Sequence, residues 1–369
     1  MYEAARALSE RGVVVRVVAM HNPGAKTREW LGPIEVIRPR YLWPERYEIL
    51  QKAGGGLPVM WETNRLTGLA LVPFLVAHLF ATVRYARGFD LVHANWTLSA
   101  AIALAGQVVN RLPLVVTVQG SDMARATRIP FVKTITREVL RRCDRVLALS
   151  SALAQSAVGM GVPESHVQVL PNGVDTRQFV PPEREREPFL LFVGALSALK
   201  GVRYLIQALP EVRARWPQYQ LVVVGEGPLR AELTDLASSL QVIEGVRFVG
   251  PLPPAEVRNW MRRARVLVLP SLEEGLGVVL LEALACGTPC VASRVGGIVD
   301  VVVPEVGVLV APADAEALAQ GISRILSESP AQYADRSRAA RRRAEAYFSW
   351  DVVATQLIDV YHTVLSGSA

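Results

Sequence analysis

The chain has 369 residues, of which 51% are hydrophobic and 20% charged, and its formal net charge at pH 7 is +6. This composition is typical of a globular protein and excludes a mainly disordered chain. The length exceeds what one hydrophobic core usually serves, so we expect two domains. The positive charge suits anionic partners such as diphosphates, acidic lipid headgroups or nucleic acid, without choosing among them.

The N-terminal residues carry charges from Glu3 to Arg11 where a signal peptide would be apolar, which favours a cytoplasmic protein. Residues 66–83 are the most membrane-like stretch. They contain Pro73 and His78 and are barely long enough to span a bilayer of roughly 30 Å, so we interpret them as a core helix, with a spanning helix as the alternative. The cysteines have no metal-binding or redox spacing.

Short apolar β-rich runs alternate with helical stretches, a pattern that predicts parallel sheets built from βαβ units. Two series of runs are separated by the polar, proline-containing residues 180–188, which we interpret as a linker. We therefore predict an α/β protein with one doubly wound domain in residues 1–180 and another in residues 189–348. Residues 2–11 predict a helix where such a domain normally begins with a strand. An initial strand is thus expected to be missing, through a misassigned start, a fragment or a tolerated loss.

Residues 270–289 give the strongest functional signal. A predicted strand ends at Pro270, glycines allow a slim turn, and residues 278–285 predict a helix. Unpaired N–H groups at a helix start, together with glycine amides, form an anion site that suits a diphosphate. The residues predicted to supply these amides are Gly275, Leu276, Gly277 and Val278.

Two glutamates frame this helix start. Glu274 and Glu282 are eight residues apart, which corresponds to about 12 Å along a helix axis. One carboxylate can therefore accept hydrogen bonds from a sugar and the other from a ribose. The alternative is a favourable acid at a helix start and a solvated helix residue. Because Glu282 lies in an otherwise apolar stretch, where a charge needs partners, a binding site is favoured.

The block resembles the E-x7-E signature of retaining glycosyltransferases of family 4, which adopt the GT-B fold. The resemblance implies two Rossmann-like domains facing across a cleft, a C-terminal helix in residues 349–369 that crosses back to the first domain, and transfer without a metal ion or other cofactor. Other segments agree with the family in order and spacing and extend the resemblance over nearly the whole chain. They are residues 90–95, 117–122, 170–175, 193–201, 224–228 and 248–250.

The resemblance also implies a nucleotide-sugar site in the second domain. Lys200 would contact the donor phosphates, and an ammonium group suits the charge of a leaving phosphate. A solvated lysine is the alternative. Ala195 stands where the family commonly has arginine, so one phosphate contact is absent. Turn glycines would line the nucleotide, and backbone groups near the end of the next strand would meet its base. These residues are Gly194, Gly225, Gly250 and Leu252.

The first domain offers fewer candidates. Gln119 stands where the family often has a histidine that meets the donor sugar, and it can form hydrogen bonds but cannot titrate, which puts a proton-transfer role in doubt. A loop amide satisfied by the backbone is an equal alternative. Asp122 is favoured as a helix cap and His93 as a packed histidine.

A basic segment follows in the same domain, and related enzymes use such a face on acidic lipid surfaces. Most charge runs are simply solvated, so membrane contact is the minority hypothesis. Without interleaved aromatic residues or a recognised module, a nucleic-acid partner ranks lower. The segment's bases are Arg125, Arg128, Lys133, Arg137, Arg141, Arg142 and Arg145.

The sequence thus predicts a retaining, hexosyl-type glycosyltransferase that uses a nucleotide-diphosphate sugar and a sugar or lipid-linked acceptor, with cell-surface polysaccharide or glycolipid synthesis as the commonest setting. One alternative is a non-catalytic nucleotide-sugar-binding or scaffold protein, suggested by the missing strand, Ala195 and Gln119. The other is a nucleotide-sugar isomerase on a similar fold, which would need titratable residues in the cleft.

Overall fold

The computed structural model describes residues 1–48, 50 and 66–367, which form two compact units. The first unit contains Met1–Ala148, Ser156–Gln168 and Gln356–Ala369, and the second contains Leu149–Gln155 and Val169–Thr355. The strands are β1 (Arg16–Val18), β2 (Arg28–Leu31), β3 (Ile34–Ile37), β4 (Val92–Asn95), β5 (Leu114–Val118), β6 (Arg145–Ala148), β7 (Val167–Val169), β8 (Glu187–Val193), β9 (Gln220–Val224), β10 (Val246–Gly250), β11 (Ala264–Leu269), β12 (Cys290–Ser293) and β13 (Gly307–Val310).

Helices separate most of these strands, as the alternating pattern predicts. They are α1 (Tyr2–Ser9), α2 (Leu66–Tyr85), α3 (Thr97–Asn110), α4 (Gly120–Arg128), α5 (Pro130–Arg141), α6 (Ser151–Gly159), α7 (Val202–Arg215), α8 (Arg230–Ser239), α9 (Pro254–Arg263), α10 (Val278–Ala285), α11 (Ile298–Val301), α12 (Ala315–Leu326), α13 (Pro330–Arg343) and α14 (Trp350–Leu365).

The strands of the first unit lie in two sheets. One has the order β4-β5-β6-β7, with β5 fully buried and parallel to β4 and β6. The other has the order β1-β3-β2, and its antiparallel pair β2–β3 was absent from the sequence prediction. The two strands do not form an apolar run that would predict them. Glu35 is buried in β3, where it accepts hydrogen bonds from the guanidinium groups of Arg16 and Arg28.

Helix α2 packs against α3 and buries Ala70, Phe74 and Ala81, so part of it is core as expected. Its opposite face is exposed, and the exposed apolar residues are Leu69, Val72, Val76 and Phe80. Among residues 1–48, 50 and 66–367, no helix combines the length and the hydropathy needed to cross a membrane.

The second unit is built on one six-stranded sheet in the order β10-β9-β8-β11-β12-β13, in which every neighbouring pair is parallel. Most residues of these strands are buried. Because all six strands run in one direction, their carboxyl ends lie along one edge of the sheet. Gly194, Gly225, Gly250 and Pro270 are at or directly after these ends in four adjacent strands.

The segment between the two series of strands is shorter than expected. The predicted linker, residues 180–188, is too long, because Glu187 already begins β8. Arg186 is held in the second unit, where its guanidinium donates hydrogen bonds of 2.7 Å to the carbonyls of Arg262 and Cys286. The guanidinium of Arg341 donates a hydrogen bond of 2.6 Å to the carbonyl of Phe179, which holds Phe179 in this unit as well.

Helix α14 spans the predicted range and contributes to both units. Its later residues belong to the first unit, where the Tyr361 hydroxyl lies 2.6 Å from Nδ1 of His93. Its first residue, Trp350, lies in the second unit, where the backbone N–H of Trp350 donates to the carbonyl of Val174 at 3.2 Å.

Gly173→Ala should destabilise the second unit by about 1–3 kcal/mol, because an added Cβ would lie 2.4 Å from the ring of Trp350 and force it to move. The matched control is Gly159→Ala, since a Cβ at Gly159 meets nothing within 4 Å. Urea unfolding of both variants measures the difference. Equal midpoints for the two variants would contradict this account of the packing.

Candidate functional site

The carboxyl ends of β8, β9 and β10 approach one another through their backbones. The N–H of Gly194 donates to the carbonyl of Val224 at 3.0 Å, and the N–H of Gly225 donates to that of Gly250 at 2.9 Å. A Cβ at Gly225, where φ is +132°, would lie 2.0 Å from the carbonyl oxygen of Gly194. Glycine at 225 is therefore required by close backbone approach, and the structure brings Gly194, Gly225 and Gly250 together.

Lys200 lies in a 3₁₀ turn, Ala198–Lys200, just before α7. Gly201 follows with φ at +63°, and a Cβ there would lie 2.1 Å from the carbonyl oxygen of Pro270. The N–H of Leu272 also donates to the carbonyl of Leu199 at 2.8 Å. The loop after β8 is thus fastened to the loop after β11, the neighbouring strand.

This fastening places Lys200 against Glu274. The ammonium Nζ lies 2.5 Å from Oε2 of Glu274, and the Ser271 hydroxyl donates to the same oxygen at 3.3 Å. The side chain of Lys200 is 28% exposed and that of Glu274 is 15% exposed, so the ion pair is partly desolvated. Sequence reasoning predicted both residues separately and missed both their pairing and Ser271.

The backbone of Glu274 is held from the other side by the loop after β12. The N–H of Gly297 donates to the carbonyl of Glu274 at 3.1 Å. A Cβ at Gly296 would lie 1.9 Å from that carbonyl oxygen, and a Cβ at Gly297 would lie 2.2 Å from the carbonyl oxygen of Gly275. The adjacent glycines, Gly296 and Gly297, are the sequence signal for this support.

Helix α10 begins beside the ion pair. Its N-cap residue, Gly277, has φ at +82° and supplies no side-chain hydrogen bond to the first turn. Leu276 is buried, whereas Gly275 is half-buried and Val278 is 40% exposed. Helix-start N–H groups without a side-chain cap remain available for an anion. The predicted anion site therefore has a lysine, a glutamate and a helix start in one place.

Glu282 lies about one turn into α10, four residues after Val278, and is half-buried between Leu281 and Ala283, both buried. Burial raises the pKa of its carboxyl to about 7. A carboxylate kept in such surroundings at a cost in stability is characteristic of functional sites. Near the end of β10, a Cβ on Gly250 would meet nothing within 4 Å, so there is open space beside this residue, and Leu252 is half-buried.

The first unit contains the remaining candidates. Gln119 follows β5 and is half-buried, and its backbone N–H donates to Oδ1 of Asp122 at 2.9 Å. Asp122 also accepts from the N–H of Thr97, the first residue of α3, at 3.1 Å, so it caps a neighbouring helix. Burial raises the pKa of Asp122 to about 6.

His93 is a packed histidine, as expected. Its Nε2 lies 2.8 Å from the Thr117 hydroxyl, and burial lowers its pKa to about 4, which leaves the ring neutral at pH 7. In the described part of the chain, no three His, Cys, Asp or Glu side chains are grouped closely enough to hold a metal ion.

The sequence matches the profiles of two families. The profile described as Glycosyltransferase Family 4 matches residues 1–178, and that of Glycosyl transferases group 1 matches residues 174–343. The chain is 34% identical to glycogen synthase of Mycobacterium tuberculosis over 75% of this chain and 70% of the relative. It is 32% identical to D-inositol 3-phosphate glycosyltransferase of Streptosporangium roseum over 97% of this chain and 86% of the relative.

Solved structures agree with these matches. Sucrose-phosphate synthase from Thermosynechococcus elongatus superposes with a TM-score of 0.79 at 26% identity, over 99% of this chain and 92% of that chain. HepE of Anabaena, solved in complex with UDP and glucose, has a TM-score of 0.69 at 21% identity, over 77% of this chain and 81% of that chain. These neighbours identify the fold as GT-B, with two Rossmann-like domains.

Glu282→Gln should stabilise the protein above pH 7. Because the folded-state pKa is raised from 4.5 to about 7, the folded protein holds this proton more tightly, and stability falls as pH rises between these values. The variant cannot titrate, so its advantage should grow from near zero at pH 4 to about 3 kcal/mol at pH 8. Urea unfolding at both pH values measures it, with exposed Glu273→Gln as control. A pH-independent difference would contradict the buried charge.

Proposed function

Because the chain belongs to glycosyltransferase family 4, we propose that its second unit binds a nucleotide-diphosphate sugar and that the protein transfers the hexosyl group with retention of anomeric configuration. The observation that carries the proposal is the convergence of Lys200, Glu274 and the start of α10 at one edge of the sheet. A cation beside uncapped helix amides suits a diphosphate, and a neighbouring carboxylate suits sugar hydroxyls.

In the proposed reaction, the bond between the anomeric carbon and the β-phosphate oxygen breaks, and the electron pair leaves with the oxygen. The same carbon bonds to the acceptor hydroxyl oxygen, and the hydroxyl proton passes to a phosphate oxygen. Negative charge therefore grows on the leaving diphosphate. We propose that the ammonium of Lys200 and the amides of Gly275, Gly277 and Val278 stabilise that charge, because the lysine lies beside an uncapped helix start.

The remaining donor contacts are proposed from the same geometry. Glu282 is proposed to accept hydrogen bonds from ribose hydroxyls, since its half-buried carboxylate lies about one turn into α10, on the same helix whose start is the proposed diphosphate site. The open space beside Gly250 suits a nucleobase, with Leu252 next to it. That HepE is solved with UDP and glucose supports a donor of this class. For the acceptor we propose a sugar or lipid-linked hydroxyl, and Gln119 is the candidate acceptor-side residue of the first unit.

The rival function is nucleotide-sugar binding without catalysis, which Ala195 and Gln119 favour because each replaces a residue that the family commonly uses. The two functions differ in slow donor hydrolysis. A panel of nucleotide sugars screened by thermal shift selects the donor, because a bound ligand raises stability by mass action. A transferase then releases the nucleoside diphosphate slowly even without an acceptor, whereas a binding protein leaves the donor intact.

Lys200→Ala and Glu274→Ala should each lower turnover of the selected donor at least about tenfold, equivalent to about 1.4 kcal/mol of transition-state stabilisation. The reason is that each removes a contact to the diphosphate or to the transferred sugar. Release of nucleoside diphosphate measures the rate. Arg215→Ala, an exposed base at the opposite end of α7, is the control. Wild-type rates in both site variants would refute the assignment.

The basic segment of the first unit supports a second proposal, contact with an acidic membrane surface. Helix α5 exposes Lys133 and Arg137 together with Phe131, which is 74% exposed. Exposed bases beside an apolar side chain suit anionic lipid headgroups. Arg141 and Arg142 are exposed too, whereas the side chains of Arg125 and Arg128 lie outside the described residues.

Lys133→Glu combined with Arg137→Glu should lower binding to phosphatidylglycerol vesicles at least tenfold, since each base contributes about 1 kcal/mol near an anionic surface. Flotation with these vesicles and with phosphatidylcholine vesicles measures the change. Lys26→Glu, an exposed lysine elsewhere in the first unit, is the control. Equal flotation of the double variant and the control would exclude this face.

A further inference from the structure

The ion pair between Lys200 and Glu274 has a consequence for product release. The carboxylate lies 2.5 Å from the ammonium group of Lys200, the charged group that is proposed to contact the diphosphate. An ammonium forms its strongest hydrogen bonds with anions, and here a protein anion already occupies it. A diphosphate that binds Lys200 must therefore share the ammonium with Glu274 or displace this carboxylate.

Backbone contacts fix the positions of both Lys200 and Glu274. Lys200 is fixed by the contact of Gly201 with Pro270, and Glu274 by the hydrogen bond from Gly297. Both side chains are largely shielded, at 28% and 15% exposure, so water screens their attraction only partly. Displacement must come from rotation of the side chains, and it requires a new partner for the carboxylate.

A complete donor provides that partner and the product does not. A nucleotide sugar carries hydroxyl groups that can donate to the Glu274 carboxylate while its diphosphate takes Lys200. A nucleoside diphosphate has lost the sugar, so the carboxylate faces a second anion across one shared cation, and like charges at this range repel.

We propose that Glu274 is a built-in competitor for Lys200 that lowers the affinity of the diphosphate product relative to the donor and so promotes product release. The inference rests on the proposed donor site, and it adds a second role for Glu274, beyond its contact with the sugar. The complex with the donor is then stabilised more than the complex with the diphosphate product.

Inorganic pyrophosphate tests the inference without knowledge of the donor. Calorimetric titration should show that Glu274→Gln binds pyrophosphate about tenfold more tightly than the wild type, since the amide keeps the shape of the side chain and removes its charge. Glu273→Gln removes the same charge at the adjacent, exposed position and should change the affinity less than twofold. A gain confined to Glu274→Gln supports the inference.

The double-mutant cycle identifies the partner. In a Lys200→Met background, Glu274→Gln should raise the affinity for pyrophosphate less than twofold, because no ammonium group remains for which the carboxylate and pyrophosphate could compete. An equal gain with and without Lys200, an equal gain in Glu273→Gln, or no pyrophosphate binding by any variant would overturn the inference. If Glu274→Gln shows no gain while the wild type still turns over its donor and Lys200→Ala does not, the competition fails and the proposed function stands.

Discussion

The second unit depends on one constraint, the close backbone approach of the loops that leave its parallel strands. Gly201 against the carbonyl of Pro270 and Gly296 against that of Glu274 leave no space for a side chain. These contacts join the loops after β8, β11 and β12 into one body. As a result, a cation and a carboxylate that are distant in sequence meet at the start of α10.

Two carboxylates lie at or near this edge, although we propose that an anion binds there. Lys200 is neutralised internally by Glu274, and Glu282 lies in surroundings that raise its pKa to about 7. A charged Glu282 costs stability because it is buried, and Glu274 is proposed to compete with anions for Lys200. Such features persist at functional sites because the bound ligand supplies the missing partners, here hydroxyl groups for the acids and phosphate for the lysine.

Much of this was predictable from the sequence. The strand–helix rhythm indicated the four-stranded sheet of the first unit and the six-stranded sheet of the second, and the E-x7-E segment located Glu274, Glu282 and the start of α10. The features that the sequence did not predict depend on contacts between distant segments. The pair β2–β3 is stabilised by buried charge at Glu35, and the placement of Phe179 in the second unit depends on Arg341, far along the chain. Likewise the Lys200–Glu274 pair follows from the adjacency of β8 and β11, which local periodicity does not contain.

A crystal structure of the protein with a bound nucleotide sugar would show the contacts of the diphosphate. We expect phosphate oxygens within about 2.7–3.2 Å of the Lys200 ammonium and of backbone N–H groups at Gly277 or Val278, with the Glu274 carboxylate turned to the sugar hydroxyls. A diphosphate bound elsewhere, with Lys200 and Glu274 still paired, would contradict the proposed donor site.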